Sequence, residues 1–406
     1  MSYNFFKDKN KEKKFIIFFI ILGLFLIFFD IIKFNNSLIE QLHNIIIITY
    51  TNILYLTLIS LGILCFLTIQ YVSKSVWSVI IYPIMEILSS FLPYGCMLIF
   101  IMFIFNSLNI IQLLPWMNTN VVNPNSILYD EIIANKKEFL NVPFFLIRNI
   151  FYMIVWNVFY FKIKKISCIL HNNYSIKLYE KLNSLSVKFI IFFAITSIFM
   201  GWDWIMFLNP HWISTIFSWY LFSSYLSAGI GVIILFSIYL NKIGYLSYFN
   251  EHHLHDLSKY LFSSSLLWTY FWFSQFLLYW YSNIPEEMIF FIKRTIFYEN
   301  IHFWMLILNF LIPFFGLLSS KNKKNPLIVS MISIIILIGH YIDMYQLIIP
   351  EISLFKYNFG LADIGMLLII VSIFLKIIFY NVNKHQLKYI GHPYFKESQH
   401  YKYPYM

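Results

Sequence analysis

Gly201-Trp202-Asp203-Trp204-Ile205-Met206-Phe207-Leu208-Asn209-Pro210-His211-Trp212 closes one long apolar stretch and opens the next. The runs on either side, 187–208 and 212–240, are each long enough to cross a bilayer, which takes about 20 residues for a core of about 30 Å. A polar turn carrying Asp, Asn-Pro, His and Trp between two such runs reads as a helical hairpin in a membrane. Outward from it, comparable runs fall at 15–34, 45–70, 77–105, 143–161, 259–283, 300–319, 326–349 and 359–380. The pattern predicts an all-α integral membrane protein of ten transmembrane helices. A basic tail, 1–14, precedes the membrane domain 15–380, and a second tail, 381–406, follows it.

Composition agrees. The 406 residues are 60% hydrophobic and only 12% charged, whereas soluble domains carry about 25% charged residues. Mean hydropathy is +0.70. A soluble enzyme is excluded. The first span follows Lys7, Lys9, Lys11, Lys13 and Lys14 and lacks a small-residue cleavage site, so it reads as a retained span. With the N-terminus inside, 21 cations fall on inner segments and 6 on outer loops. Both termini are therefore expected in the cytoplasm. The net charge of +10 is a topology signal with some attraction to anionic lipid, and implies no nucleic acid. Only two cations are Arg, Arg148 and Arg294, in a chain whose Lys, Ile, Asn and Phe content suggests A+T-rich drift. Such drift erodes Arg, so these two carry extra weight. Cys65, Cys96 and Cys168 are scattered and form no disulfide or metal framework.

Polar groups at membrane depth are costly and mark function by default. Glu86 lies nine residues into the third span, about 13 Å deep at 1.5 Å per residue, between Pro83 and Pro93. It reads either as a proton-relay carboxylate or as a packing group bonded to a neighbouring helix. His340 and Asp343 share a helix face in the ninth span and could exchange protons. By depth, Asp203, His211, Glu299, His302 and Asp363 come to the same outer level, as a functional cluster or as interfacial groups reaching water. His252, His253, His255 and Asp256 resemble a metal cluster, but structural zinc favours four ligands, often Cys, and no Cys is near. They read as an inner loop, either plain and solvated or with Asp256 as helix N-cap and a point of proton entry. Haem b would need two His facing each other at depth, and only His302 and His340 lie within spans. Trp268, Trp272 and Trp280 could stack on a quinone or belong to an interfacial belt.

Several motifs occur in one order: Asp203-Trp204-Ile205-Met206 with Asn209-Pro210-His211-Trp212; His253-Leu254-His255-Asp256-Leu257; Trp272-Phe273-Ser274-Gln275-Phe276 with Trp280 to Glu287; Asn309-Phe310 with Pro313-Phe314; Lys323-Lys324-Asn325; and Gly339-His340-Tyr341-Ile342-Asp343. Together they resemble the second large membrane subunit (quinone-binding subunit) of alternative complex III, in the NrfD/polysulfide-reductase anchor superfamily. The likeness covers residues 190–350. Asn209 stands where the family has Asp, and Lys323-Lys324-Asn325 where it has Lys-Arg-Asn.

The resemblance implies two four-helix bundles, spans 2–5 and 6–9, with peripheral first and last helices. It implies a bacterial inner-membrane subunit of a quinol:cytochrome c oxidoreductase that is not catalytic alone. Menaquinone or another quinone would be the small-molecule partner, with Trp204, His211 and Trp272 as contacts. Haem c and Fe–S clusters would sit in partner subunits: a sister NrfD-like chain, an Fe–S subunit and multihaem cytochromes c. Apart from the resemblance, depth along the spans alone suggests a proton path through His255 and Asp256 inside, Glu86 midway, and His340, Asp343, Asp203 and His302 outside. A secondary transporter and a purely structural anchor are the rival readings.

Overall fold

A computed structural model describes residues 9–33, 38–171, 173–352, 359–384 and 389–403; within these, the side chains at 9–12, 33, 38–39, 286–287 and 296–302 lie outside the described set. The chain is 82% helical, with no strand among the described residues. In order, the helices are α1 (Lys9–Lys33), α2 (Leu38–Val72), α3 (Tyr82–Leu88), α4 (Leu92–Ser107), α5 (Glu131–Asn135), α6 (Val142–Leu170), α7 (Ile176–Trp204), α8 (Phe217–Lys242), α9 (Glu251–Ser282), α10 (Pro285–Leu306), α11 (Ile312–Leu318), α12 (Ser320–Lys324), α13 (Pro326–Ile352), α14 (Leu361–Lys384) and α15 (Phe395–Gln399).

Eight rods among the described residues are long and apolar enough to cross a membrane: 13–32, 40–72, 77–107, 142–170, 176–208, 217–242, 326–352 and 361–384. This is a multi-pass membrane protein. Two of the expected spans are not among these eight. In α9 the run is diluted by Ser263, Ser264, Ser265, Thr269, Ser274 and Gln275. The other expected span, 300–319, begins earlier as α10, whose first turns carry Glu286, Glu287, Lys293 and Arg294. Among the described residues, Phe303–Leu318 of that rod is apolar but shorter than a span.

Helix α2 is the hub. It packs on α4, α7, α8 and α14, while α8 packs on α7, α9 and α13. The α2–α8 crossing is close because it is built on glycine: a Cβ at Gly62 would lie 2.6 Å from the Tyr225 carbonyl oxygen. Helices α6 and α7 pair on one side, and α10 and α13 on the other. Burial divides two helices that look alike in sequence. Of the apolar stretch in α2, 94% is buried, against 6% in α1, which packs chiefly on α14.

The third span is broken at both ends of α3 by 3-10 turns, Trp77–Ile81 and Ser89–Phe91, with Pro83 and Pro93 each in the first turn of the helix that follows. Proline is tolerated there because those first N–H groups have no intrahelical partner. The basic inner loop expected at 162–186 is mostly helix. Lys162, Lys164 and Lys165 continue α6, and Ser175 caps α7 by accepting the Leu178 N–H. Lysine ends an apolar run without ending a helix.

Candidate functional site

Asp343 and His340 stand one turn apart on α13, and both are buried. The Asp343 carboxylate accepts three side-chain donors. Tyr220 donates to Oδ1 in a short contact. Trp268 Nε1 donates to Oδ2 at 3.0 Å, and Ser224 Oγ at 3.3 Å. Ser224 Oγ also lies 3.1 Å from His340 Nδ1. A hydroxyl that donates to one partner can accept from the other, so His340, Ser224 and Asp343 form a continuous chain that can carry a proton either way. His340 Nε2 has no hydrogen-bond partner among the described residues.

Helix α13 approaches its neighbour at Gly339, where a Cβ would lie 2.1 Å from Asn309 Oδ1. Asn309 sits in a π-turn, Ile307–Leu311, a distortion that recurs at functional sites. Its amide atoms are buried without a hydrogen-bond partner among the described residues. Such unused capacity costs about 1–3 kcal/mol per group and marks this level of the molecule as held for polar work.

On its other side Asp343 lines a cavity of about 30 Å³ with Tyr220, Trp272, Gln275, Arg294 and Gln346. That volume suits one or two waters and is far too small for a quinone ring. Arg294 is buried. It donates to Glu351 Oε1 at 2.7 Å and to the carbonyls of Phe290 (2.7 Å), Gln346 (3.1 Å) and Leu347 (3.3 Å). Its guanidinium lies 3.3 Å from the Phe290 ring centroid, and Trp212 stacks on Phe290 at 3.7 Å and 3°. Trp212, rather than its neighbour His211, therefore reaches this centre.

Glu86 is the second buried carboxylate. Its Oε1 accepts Tyr389 at 2.8 Å, Tyr71 at 3.0 Å and, in a short contact, Ser167. The expectation of a midway rung is corrected by these partners. Tyr71 is in the last turn of α2 and Ser167 in the last turn of α6, so Glu86 lies in the layer of helix ends. It is buried because the C-terminal segment folds back over that layer. There burial, and after it the Glu86 carboxylate, holds the Tyr389 phenol well above its usual range, and burial lowers the His392 imidazole to about 4.

The C-terminal segment is thus docked rather than a free tail. A Cβ at Gly391 would lie 2.1 Å from the Leu170 carbonyl oxygen. Ser398 Oγ donates to the Trp77 carbonyl at 3.2 Å, and His253 Nε2 meets the Ser398 carbonyl at 3.1 Å. Asn250 Nδ2 donates to the Tyr401 carbonyl at 3.1 Å, and the Tyr401 hydroxyl donates to Asp256 Oδ2 at 2.7 Å.

These contacts also correct the reading of the His-rich stretch. It is the opening of α9, capped by Asn250, whose Oδ1 accepts the N–H groups of His252 and His253. Asp256 is in the second turn, beyond capping position, and pairs with Lys259 at 2.5 Å. His255 meets Ser320 Oγ at 3.4 Å. No group of three or more metal-ligating residues occurs among the described residues.

The expected outer cluster resolves into separate networks. Asp203 forms a bidentate pair with Arg148 (2.8 and 2.5 Å) and accepts Tyr152 at 3.3 Å. Arg148 lies over the rings of Phe139 and Phe144. Trp204 is wholly buried, its Nε1 donating to Asn149 at 2.7 Å, which leaves no face for a quinone. His211 is exposed and pairs with Asp130 at 2.8 Å. Beside it Lys136 donates to the Pro210 carbonyl at 2.5 Å, with burial lowering its ammonium below the usual value. Asp363 accepts the Gly360 N–H at 2.7 Å. The side chain of His302 lies outside the described residues. Trp204, His211 and Trp272 do not share a site. Among the described residues no direct hydrogen bond joins the networks of Asp256, Glu86, Asp203 and Asp343.

Tyr220, Ser224, Tyr71, Ser167 and Tyr389 complete these networks; sequence reading passed over the last four and gave Tyr220 no role of its own. Tyrosine occurs 30 times, and only tertiary contact singles these out. Comparison with models of known protein families gives no match, and comparison with curated proteins gives none.

Proposed function

We propose that this chain is a membrane subunit of a quinol:cytochrome c oxidoreductase of the alternative complex III kind, and that its own work is to hold and pass protons. The observation that favours this is the His340–Ser224–Asp343 chain beside a water-sized cavity. Chains of buried ionisable and hydroxyl groups inside membrane segments mark proton relays. Such a role needs no cofactor in this chain. Haem c and Fe–S clusters would belong to partner subunits: a multihaem cytochrome c, an Fe–S protein and a sister NrfD-like chain. Trp272, half-buried, is the remaining candidate for contact with menaquinone or a related quinone, which would meet it outside the water-sized cavity.

On this reading the eight apolar rods are joined by α9 and by α10 with α11, making ten spans in a bacterial inner membrane with both termini in the cytoplasm. Residues 38–208 would form one four-helix bundle and 217–352 the other, with α1 and α14 outside them. A transporter would show broken helices in corresponding positions of its two halves. Here the broken third span and the π-turn fall in the second helix of one half and the third of the other, which disfavours that rival.

The test is purification of the tagged chain in mild detergent, with mass spectrometry and haem and iron analysis of what comes with it. Co-purifying haem c and Fe–S subunits are the expected result. Recovery of the chain alone, or with unrelated proteins, would overturn the proposal.

A further inference from the structure

Asp256, Lys259, Tyr260 and Ser263 lie at i, i+3, i+4 and i+7 of α9, so they share one face. That face lines a pocket of about 310 Å³, closed by Trp77 on one side and by Tyr401 and Tyr403 of the C-terminal segment on the other. The volume is in the range of small-molecule sites. Its aromatic walls are ordered: Trp77 stacks on Tyr260 at 5.7 Å and 21°, and Lys259 Nζ lies 3.9 Å from the Tyr403 ring centroid.

The charges select the ligand. Asp256 is satisfied by Lys259 on one oxygen and by the Tyr401 hydroxyl on the other. Lys259 carries three donors; it gives one to Asp256 and one to the Tyr403 hydroxyl, which leaves a third. Helix α12, with Lys321, Lys323 and Lys324, packs on the same part of α9. Within the pocket the charges of Asp256 and Lys259 cancel, and the surplus charge beside it, from α12, is cationic. The pocket lies where the apolar part of α9 begins, among Trp and Tyr rings of the kind that gather at the headgroup level of a bilayer. Basic pockets between membrane helices at that level suit lipid phosphates.

We propose that this pocket is a headgroup site for an anionic phospholipid. Lys259 holds the phosphate ester, Ser263 and the Tyr260 hydroxyl face the glycerol end, and the rings form the walls. Tyr401 and Tyr403 belong to the docked segment, so the lipid and that segment hold each other in place. The assignment does not depend on membership of a respiratory complex.

The test uses the full chain, delipidated in mild detergent and titrated with short-chain phosphatidylglycerol under native mass spectrometry. The expected result is one tightly held lipid, bound about fivefold more weakly by Lys259→Gln and more weakly by wild type when phosphatidylcholine replaces it. Ser263→Ala and Tyr260→Phe leave the Asp256–Lys259 pair intact and should also weaken binding, so the site stays testable if Lys259→Gln fails to fold. Equal affinity across wild type and all three variants would overturn the assignment. Displacement of the lipid by millimolar inorganic phosphate would overturn it too, in favour of a soluble anion.

Discussion

The two halves of the molecule, residues 38–208 and 217–352, use the same polar parts in different ways. Each holds one of the two arginines in a buried pair, Arg148 with Asp203 and Arg294 with Glu351. Each also holds one carboxylate met by three side-chain donors, Glu86 and Asp343. In the first half these parts are segregated. Arg148 and the Glu86 donor Ser167 sit near opposite ends of α6, about 28 Å apart at 1.5 Å per residue. In the second half they are gathered, and Arg294 and Asp343 line one cavity. Segregated charge serves as local fastening. Gathered charge around a water-sized space can exchange protons.

The sharpest way to break this comparison is to remove the first fastening. Arg148→Met would leave Asp203 buried and unpaired, at an expected cost of about 3–5 kcal/mol. Thermal unfolding in detergent should show the loss, and a second change, Asp203→Leu, should restore much of it. An unchanged midpoint for the single variant would mean that the pair is not desolvated.

Asp343→Asn comes next. It keeps an acceptor for Tyr220 or Trp268 but turns a donor toward the other, at an expected cost of about 1–3 kcal/mol. The chain should still fold, and proton-coupled activity should fall far more than stability does. A variant that loses both in proportion would make Asp343 a fastening like Glu86.

Tyr389→Phe probes the other side. It removes one of three hydrogen bonds to Glu86, worth about 1 kcal/mol. Hydrogen exchange in 389–403 should quicken while activity stays near wild type. A large loss of activity with no change in exchange would place Glu86 on the proton path.

The smallest effect is on pH. His392 packs among the rings of Tyr82, Tyr179, Tyr389 and Tyr394, and burial lowers it to about 4. An imidazole lowered on docking binds fewer protons than the free one. Its contribution to docking is therefore complete above about pH 6.5 and shrinks as pH falls from there toward 4. Exchange of 389–403 should rise over that window, and His392→Phe should flatten the rise.

Hydropathy made the membrane class legible, and the rarity of arginine drew attention to Arg148 and Arg294, though not to their partners. Spacing put His340 and Asp343 on one face. Helix facing was not legible: Thr51, Asn52, Thr57, Ser60 and Thr68 distinguish α2 from the apolar run of α1, but only packing shows that they face inward. Nor was the docking of 389–403, whose Tyr, His and Ser residues look like a solvated tail until Glu86, His253 and Asp256 supply their partners. Depth counted along a span misplaced Glu86 because the end of a span is not the water surface when another segment covers it.

The central claim is that Asp343, and not Glu86, exchanges protons. If the proposed complex is recovered, its most direct test is the proton-to-electron ratio of that complex in proteoliposomes during quinol oxidation, compared for Asp343→Asn and Glu86→Gln. The account predicts a clear fall for Asp343→Asn and a ratio near wild type for Glu86→Gln. An unchanged ratio in Asp343→Asn would contradict it.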